Sequence, residues 1–280
     1  MQVFQQISEV KTYILSQKQQ DKTIGFVPTM GALHQGHISL IVQSKKECDI
    51  SVCSIFVNPT QFNNANDLSR YPRTPELDIQ LLEQVGCDVL YMPDVKDIYP
   101  TTDTRQFNFG YLDTILEAEH RPGHYNGVGQ VVSILLKGIE PDKAFFGSKD
   151  YQQVMVVKSL VDQLNLPVEI ISCPILREND GLAMSSRNML LTLEERKIAK
   201  LVPKMMEESR EIAKKNGISA AKSYIHNEVA KVSIMKLDYY EVCNADTLEP
   251  LTALKPTQQA ISLIAVFVGN IRLIDNWMID

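Results

Sequence analysis

No stretch of the chain approaches the roughly 18 apolar residues a membrane-spanning helix needs; the longest candidate, Ile261 to Val268, has strand length. Cysteine is sparse and unpatterned. The five residues Cys48, Cys53, Cys87, Cys173 and Cys243 are odd in number and form no CxxC. That excludes a disulfide framework, offers no zinc-ligand cluster, and reads as buried free thiols in a reducing compartment. Positive charge is short, with 28 Lys and Arg against 34 Asp and Glu, a net charge of -6 and a pI near 5.5. This argues against a nucleic-acid-binding surface. The opening residues Met1-Gln2-Val3-Phe4-Gln5-Gln6 lack a basic region followed by an apolar run, so the expectation is a soluble cytoplasmic protein with no membrane partner. Internal repeats and low-complexity segments are also missing.

What is present is a chain of 280 residues, 44% hydrophobic, enough for a full core in one large domain or two smaller ones. Residues 1–20 have apolar positions near helical spacing. Strands and helices then alternate: strands at 23–27, 50–57, 88–92, 143–146 and 168–173, helices at 37–46, 75–84, 128–139 and 151–164. A long loop is expected over 58–75, a short strand around Phe107, a short helix near 112–118 and a loop over 120–127. The pattern predicts an α/β fold, a Rossmann-like parallel sheet with helices on both faces. After Pro174 the character changes to helices at 192–216 and 219–231 and strands at 237–242, 260–268 and 271–277, the last two joined at Gly269-Asn270 as a hairpin. The expected division is a domain over 1–177 and a smaller C-terminal α+β domain over 178–280.

Four polar stations follow predicted strands, where α/β sheets take their ligands. The first, Gly25 to Leu40, reads as strand, tight turn and helix start. Unpaired N–H groups and the positive end of the helix dipole suit a phosphate there. His34 and His37, three apart, share one side of the first turn. Alone, such a pair is equally a surface feature or half a metal site; the strand–turn–helix context favours the phosphate reading. The second station is Phe56 to Phe62, where Gln61 both donates and accepts hydrogen bonds; ordinary turn chemistry explains it equally well. Tyr71 to Pro75 lies downstream. The third, Phe146 to Gln153, has Gly147 to free the backbone, Lys149 to meet a phosphate, and Asp150, which serves equally as a helix cap. The fourth, Leu182 to Asn188, places Ser185, Ser186 and Arg187 together, a clamp for phosphate oxygens and a candidate closing lid.

The string His34-Gln35-Gly36-His37 resembles the HxGH signature of the adenylate-forming nucleotidyltransferase superfamily, and the longer Pro28 to His37 resembles the pantoate–β-alanine ligase family. Segments 56–62, 145–153 and 181–188 resemble that family's substrate loop, its Gly-x-Lys-Asp segment and its counterpart of the KMSKS loop. The resemblance runs from about residue 23 to 192 and departs at Ser148, where the family usually has an acidic residue or Gln. It implies an ATP site lined by Met30, Gly31, Ala32, Leu33, His34, Gln35, Gly36, His37, Gly147, Ser148, Lys149, Asp150, Leu176, Met184, Ser185, Ser186 and Arg187. Gln61 and Gln153 would hold pantoate, with Gln61 also near β-alanine, and Arg121 and His124 would border the site. Mg²⁺ would accompany ATP, with Asp78 as a helper for that ion, and the protein would be a homodimer in which the strand 50–57 lies near an edge.

The reaction so implied is a two-step ligation through pantoyl adenylate, releasing pyrophosphate and then AMP. His34, His37, Lys149 and Arg187 would carry the catalysis, the imidazoles raised above their ordinary pKa near ~6.5 by the triphosphate. Two other readings share the histidine turn: a nucleotidylyltransferase acting on a phosphorylated acceptor, and a non-enzymatic nucleotide sensor.

Overall fold

In a computed structural model describing residues 1–63 and 65–279, the chain divides into two units, Met1–Pro174 and the remainder from Ile175. The first is built on β1 (Gln2–Phe4), α1 (Ile7–Lys18), β2 (Ile24–Thr29), α2 (Gln35–Glu47), β3 (Ile50–Ile55), α3 (Ala65–Arg70), α4 (Pro75–Val85), β4 (Val89–Tyr91), α5 (Val95–Ile98), α6 (Glu117–His120), α7 (His124–Ile139), β5 (Lys143–Gly147), α8 (Tyr151–Leu164) and β6 (Glu169–Cys173). Its six strands pair in parallel in the order β1-β4-β3-β2-β5-β6.

Successive residues of a strand point to opposite faces, and here they enter different cores. Phe26, Val52, Val89 and Phe146 pack with Val10 and Ile14 of α1, Val128 to Leu136 of α7 and Val154 to Leu160 of α8. Val27, Cys53, Leu90 and Phe145 pack with Leu40 and Ile41 of α2 and Leu82 of α4. Both faces of the sheet are therefore covered, as the near-continuous apolar strands require. The five cysteines are free thiols, and all but Cys48 are buried.

Several elements differ from the sequence reading. The first twenty residues are not one helix: β1 precedes α1 and pairs with β4 at the sheet edge. β3 is not near an edge but lies between β4 and β2. The segment 58–75 is not simply a loop; it holds a 3₁₀ turn at Pro59–Gln61 and α3. No strand forms around Phe107, whose N–H instead bonds to the Asn126 side chain at 2.9 Å. The helix near 112–118 is a 3₁₀ turn at Gly110–Asp113 followed by α6. The loop after His120 is short, because α7 already begins at His124.

The second unit carries α9 (Leu193–Ala199), α10 (Leu201–Asn216), α11 (Ile218–Ala230), β7 (Met235–Asn244), β8 (Ala260–Val268) and β9 (Ile271–Ile279). The stretch 192–216 is two helices because Pro203 has no N–H to continue the ladder. It is tolerated in the first turn of α10, where that N–H needs no helical partner. The three strands are antiparallel, and β8 and β9 meet at Gly269-Asn270 as a hairpin with Val268 opposite Ile271. Met205, Met206, Ile225, Val242 and Ile264 form its core. This is the small α+β unit the sequence predicts. No helix among the described residues is long and apolar enough to cross a membrane.

Candidate active site

The strand order reverses at β2, which has β3 on one side and β5 on the other. In α/β sheets that point is where ligands bind. Here the two strands part: they pair only at Gly25↔Lys143 and Phe26↔Ala144, while β2 continues to Thr29 and β5 to Gly147. Pro28 fits this divergence. The Ile24 carbonyl accepts from Asp142 N–H on the β5 side, and the Thr29 carbonyl accepts from Phe56 N–H on the β3 side. By alternation the N–H that Pro28 lacks would face β5, where the ladder has already ended.

After Thr29 the chain turns through two left-handed residues, Gly31 at φ +79° and Ala32 at φ +48°. A Cβ on Gly31 would lie 2.9 Å from the Ile55 methyl, so both the space and the backbone demand glycine there. His34 then precedes α2. Its Nδ1 accepts from the Gly36 N–H at 3.1 Å, while His37 Nδ1 accepts from the His34 N–H at 3.3 Å. The ring centroids are 4.0 Å apart.

With both Nδ1 atoms accepting, the ring protons sit on Nε2, and each neutral imidazole offers one N–H donor. Burial, then the Lys149 ammonium, lowers the His34 pKa to about 4 against an opposing pull from Asp150. His37 is lowered as well, by burial, by His34 and by Lys149. Desolvation and the neighbouring nitrogen groups thus favour the uncharged rings, and the upward pull expected of a triphosphate would act against them.

A second expectation changes with it. Much of the main chain at the start of α2 is already paired: Gly31 N–H to Thr29 Oγ1, Ala32 and Leu33 N–H to Asp78, His34 and Gly36 N–H to the imidazoles. The donors left for a ligand are therefore the imidazole Nε2–H groups rather than a row of open backbone N–H groups. Asp78, expected to help a metal ion, is 1% exposed and has its carboxylate turned inward onto the 32–33 backbone and the Thr74 hydroxyl. No group of three or more His, Cys, Asp or Glu side chains suited to a metal occurs among the described residues.

The third station lies across the reversal point. Gly147 ends β5, and Ser148–Asp150 form a 3₁₀ turn into α8. Lys149 is half-buried and near enough to both imidazoles to depress them. Asp150 is exposed and makes no capping hydrogen bond, so the cap role weighed for it is not realised. Gln153 sits in the first turn of α8, half-buried.

The second station is a closed amide network. The Asn58 Oδ1 accepts from Thr60 N–H at 3.4 Å and from Tyr99 Oη at 2.9 Å, which fixes the amide orientation. Asn58 Nδ2 then donates to Gln61 Oε1 and to the Gly127 carbonyl, both at 3.1 Å. Gln61 Nε2 lies 3.1 Å from Met30 Sδ, tying the second station to the first. The carbonyl of Gln61 being engaged, its amide N–H groups are what it presents. His124 Nδ1 lies 2.8 Å from the Gln61 backbone carbonyl and Nε2 lies 3.2 Å from Arg121 Nη1. A guanidinium only donates, so Nε2 accepts and Nδ1–H bonds to Gln61. Gly127 lets α7 approach: a Cβ there would lie 2.4 Å from the Thr60 carbonyl oxygen.

The fourth station belongs to the second unit and does not directly follow the last parallel strand. Met184 N–H bonds to the Leu176 carbonyl at 3.0 Å, bringing these two together beside an antiparallel bridge between Arg177 and Ala183. Ser185 Oγ accepts from Arg187 N–H at 3.3 Å, and Ser186 is buried while Arg187 is half-buried. Asn188 Nδ2 braces the segment, donating to Glu178 Oε1 at 2.8 Å and to the Ala183 carbonyl at 3.1 Å.

Sequence reasoning named Asn58 in the second station but did not foresee its hydrogen-bond network, and it missed Tyr99, Asp78 in its inward role, and Glu178 with Asn188. An Asn immediately before Pro is a cap signal that was available for Asn58. The partners of the others are distant in the chain.

A parallel sheet with an HxGH turn at its reversal point and a lysine in the turn that follows the neighbouring strand defines a nucleotide-phosphate enzyme of the adenylate-forming type. The sequence model of the pantoate-beta-alanine ligase family matches residues 2–278, and the chain belongs to that family. A pantothenate synthetase of Porphyromonas gingivalis is 45% identical over 276 residues, covering 99% of this chain and 98% of its own. One of Cytophaga hutchinsonii is also 45% identical, over 279 residues, 98% of this chain and 97% of its own. The crystal structure of the Thermus thermophilus pantothenate synthetase superposes with a TM-score of 0.91 at 37% identity over 99% of both chains. The Francisella tularensis pantoate-beta-alanine ligase, solved as a complex with beta-gamma ATP and beta-alanine, gives 0.84 at 37% identity over 99% of this chain and 97% of its own.

Proposed function

We propose that the chain condenses pantoate with β-alanine at the expense of ATP. The pantoate carboxylate attacks the α-phosphorus, forming pantoyl adenylate and displacing pyrophosphate. The β-alanine amine then attacks the acyl carbon, forming the amide of pantothenate and releasing AMP. Family membership over nearly the whole chain supports this over the nucleotidylyltransferase and sensor readings. The Asn58–Gln61 pair also suits a carboxylate- and hydroxyl-bearing acceptor better than a phosphate.

A carboxylate is already a nucleophile, so the first step needs no strong base. Its difficulty is bringing one anion to another, which positioning and donors near the developing charge relieve. His34 and His37 serve this as neutral Nε2–H donors to phosphate oxygens, and Lys149 supplies the full positive charge. Met30, Gly31, Ala32, Leu33, Gln35, Gly36, Gly147, Ser148 and Asp150 border the nucleotide. Gln61 and Gln153 hold pantoate, and Gln61 also reaches β-alanine.

Leu176, Met184, Ser185, Ser186 and Arg187 supply further contacts to the nucleotide. Magnesium enters with ATP as its complex, which suits an ion that keeps waters and phosphates rather than an all-protein cage. The working form is a homodimer in the cytoplasm.

The observation that carries this reading is the pair of neutral imidazoles beside Lys149 at the sheet's reversal point. Pyrophosphate–ATP exchange that depends on pantoate is the expected signature. Replacing His37 by Ala removes one donor and lowers that exchange by ~100–1000-fold while the fold is kept. Exchange near the wild-type rate in the variant refutes the assignment. Exchange driven instead by a phosphorylated acceptor points to the transferase.

A further inference from the structure

We infer that Asp78, on α4 and outside the substrate shell, is the positioning residue that holds the histidine turn in its working shape. The inference rests on the ligase reading for its kinetic arm and on geometry alone for the rest.

Gly31 and Ala32 are consecutive left-handed residues. They turn the chain sharply, and the two backbone N–H groups that follow Gly31 meet one acceptor. The N–H groups of Ala32 and Leu33 reach the two Asp78 carboxylate oxygens separately, at 2.9 and 2.8 Å. Thr74 donates its hydroxyl to Oδ1 at 3.0 Å, so three donors converge on a carboxylate that is 1% exposed.

These two N–H groups are thus taken by the protein's own anion, not by a ligand. A left-handed alanine stores strain that surrounding contacts must hold, and this carboxylate supplies them. The next residue in the chain is His34, whose own N–H is taken by His37 and whose ring takes Gly36. Asp78, the turn and the two imidazoles are therefore linked bond to bond. If the turn relaxes, both Nε2 donors lose their aim.

The test is Asp78→Asn, which keeps the shape but has only one accepting oxygen for the two backbone N–H groups. Expected is a loss of about 10–100-fold in kcat for pantoate-dependent exchange, as for a misplacement near 1 Å, with KM for β-alanine in the full reaction unchanged. A loss of stability alone would leave the imidazoles as they are, so nitrogen NMR of His34 and His37 separates the roles. In the variant the Nε2–H tautomer pattern is expected to break down and His34 to titrate nearer 6.5.

A folded variant with wild-type exchange and unmoved imidazole resonances overturns the inference. Should the Asn variant not fold, Asp78→Glu, its carboxylate one methylene out of place, is expected to show the same losses, and wild-type behaviour in it overturns the inference equally. In the unmodified enzyme the Ala32 and Leu33 amides are expected to exchange slowly with solvent, and exchange at open-loop rates overturns it whatever the variants do. Absence of pantoate-dependent exchange in the wild type sinks the ligase reading, while the amide and imidazole results still decide the role of Asp78.

Discussion

The ring of His34 gives a sharp prediction, because its pKa of about 4 lies well below the ordinary 6.5. Burial and Lys149 disfavour the imidazolium in the folded protein. In the unfolded chain the ring binds a proton as pH falls through 6.5, while the folded protein resists until about 4. Between those values the unfolded state holds more protons, so stability falls with falling pH. At 1.36 kcal/mol per unit the full shift is at most ~3.4 kcal/mol. Solvent screening of a ring still partly exposed trims this to about 1–2 kcal/mol by pH 4.5.

The control is His34→Asn, which keeps a capping acceptor and removes the titration. Denaturant unfolding at pH 7 and pH 4.5 should show the wild type losing about 1–2 kcal/mol more than the variant. Direct NMR titration of the ligand-free enzyme should place His34 near 4. A ring titrating at or above 6.5, with equal acid sensitivity in both proteins, refutes the neutral-imidazole reasoning.

Other outcomes follow from single contacts. Gly127→Ala pushes a methyl toward the Thr60 carbonyl and should destabilise by about 1–3 kcal/mol, with a raised KM for pantoate because Gln61 moves with Thr60; unchanged Tm and KM contradict the close approach. Asn188→Ala releases both Glu178 and Ala183, costs about 1–3 kcal/mol locally and should raise KM for ATP more than KM for pantoate. Equal effects on both would detach this brace from the nucleotide. Asp275→Ala strips the carboxylate from Arg177, which bonds it twice, at 2.7 and 3.0 Å, while stacking on Trp277. A loss of about 3 kcal/mol is expected in chemical unfolding, and a change below ~0.5 kcal/mol shows the pair to be dispensable.

The helices and strands that read clearly from the sequence are those whose patterns are purely local. Tyr151–Leu164 and Ala260–Val268 carry their periodicity and their breakers within themselves. The misread segments depend on distant partners. Gln2–Phe4 is too short to show a period and becomes a strand by pairing with Val89–Tyr91. Phe107 has a strand-like residue type, but its N–H is claimed by the Asn126 side chain instead of a ladder.

The site divides in the same way. His34, His37 and Lys149 lie in motifs with visible context, so their positions were legible. Their charge state was not, since it follows from burial and from Lys149, more than a hundred residues away. Asp78 was noticed for its carboxylate, but its bonds to the 32–33 backbone were not foreseen, because nothing local tells whether such a group faces a cation or the backbone of another loop.

A proline in the middle strand of a sheet has a consequence beyond its own missing donor. Pro28 adds no ladder donor on the side of β5, so the parting of the two strands after Phe26 costs no backbone hydrogen bond at that position. Any residue bearing an amide hydrogen there would leave that donor without a strand partner. The mouth of the site is in this sense written into the chain before folding begins.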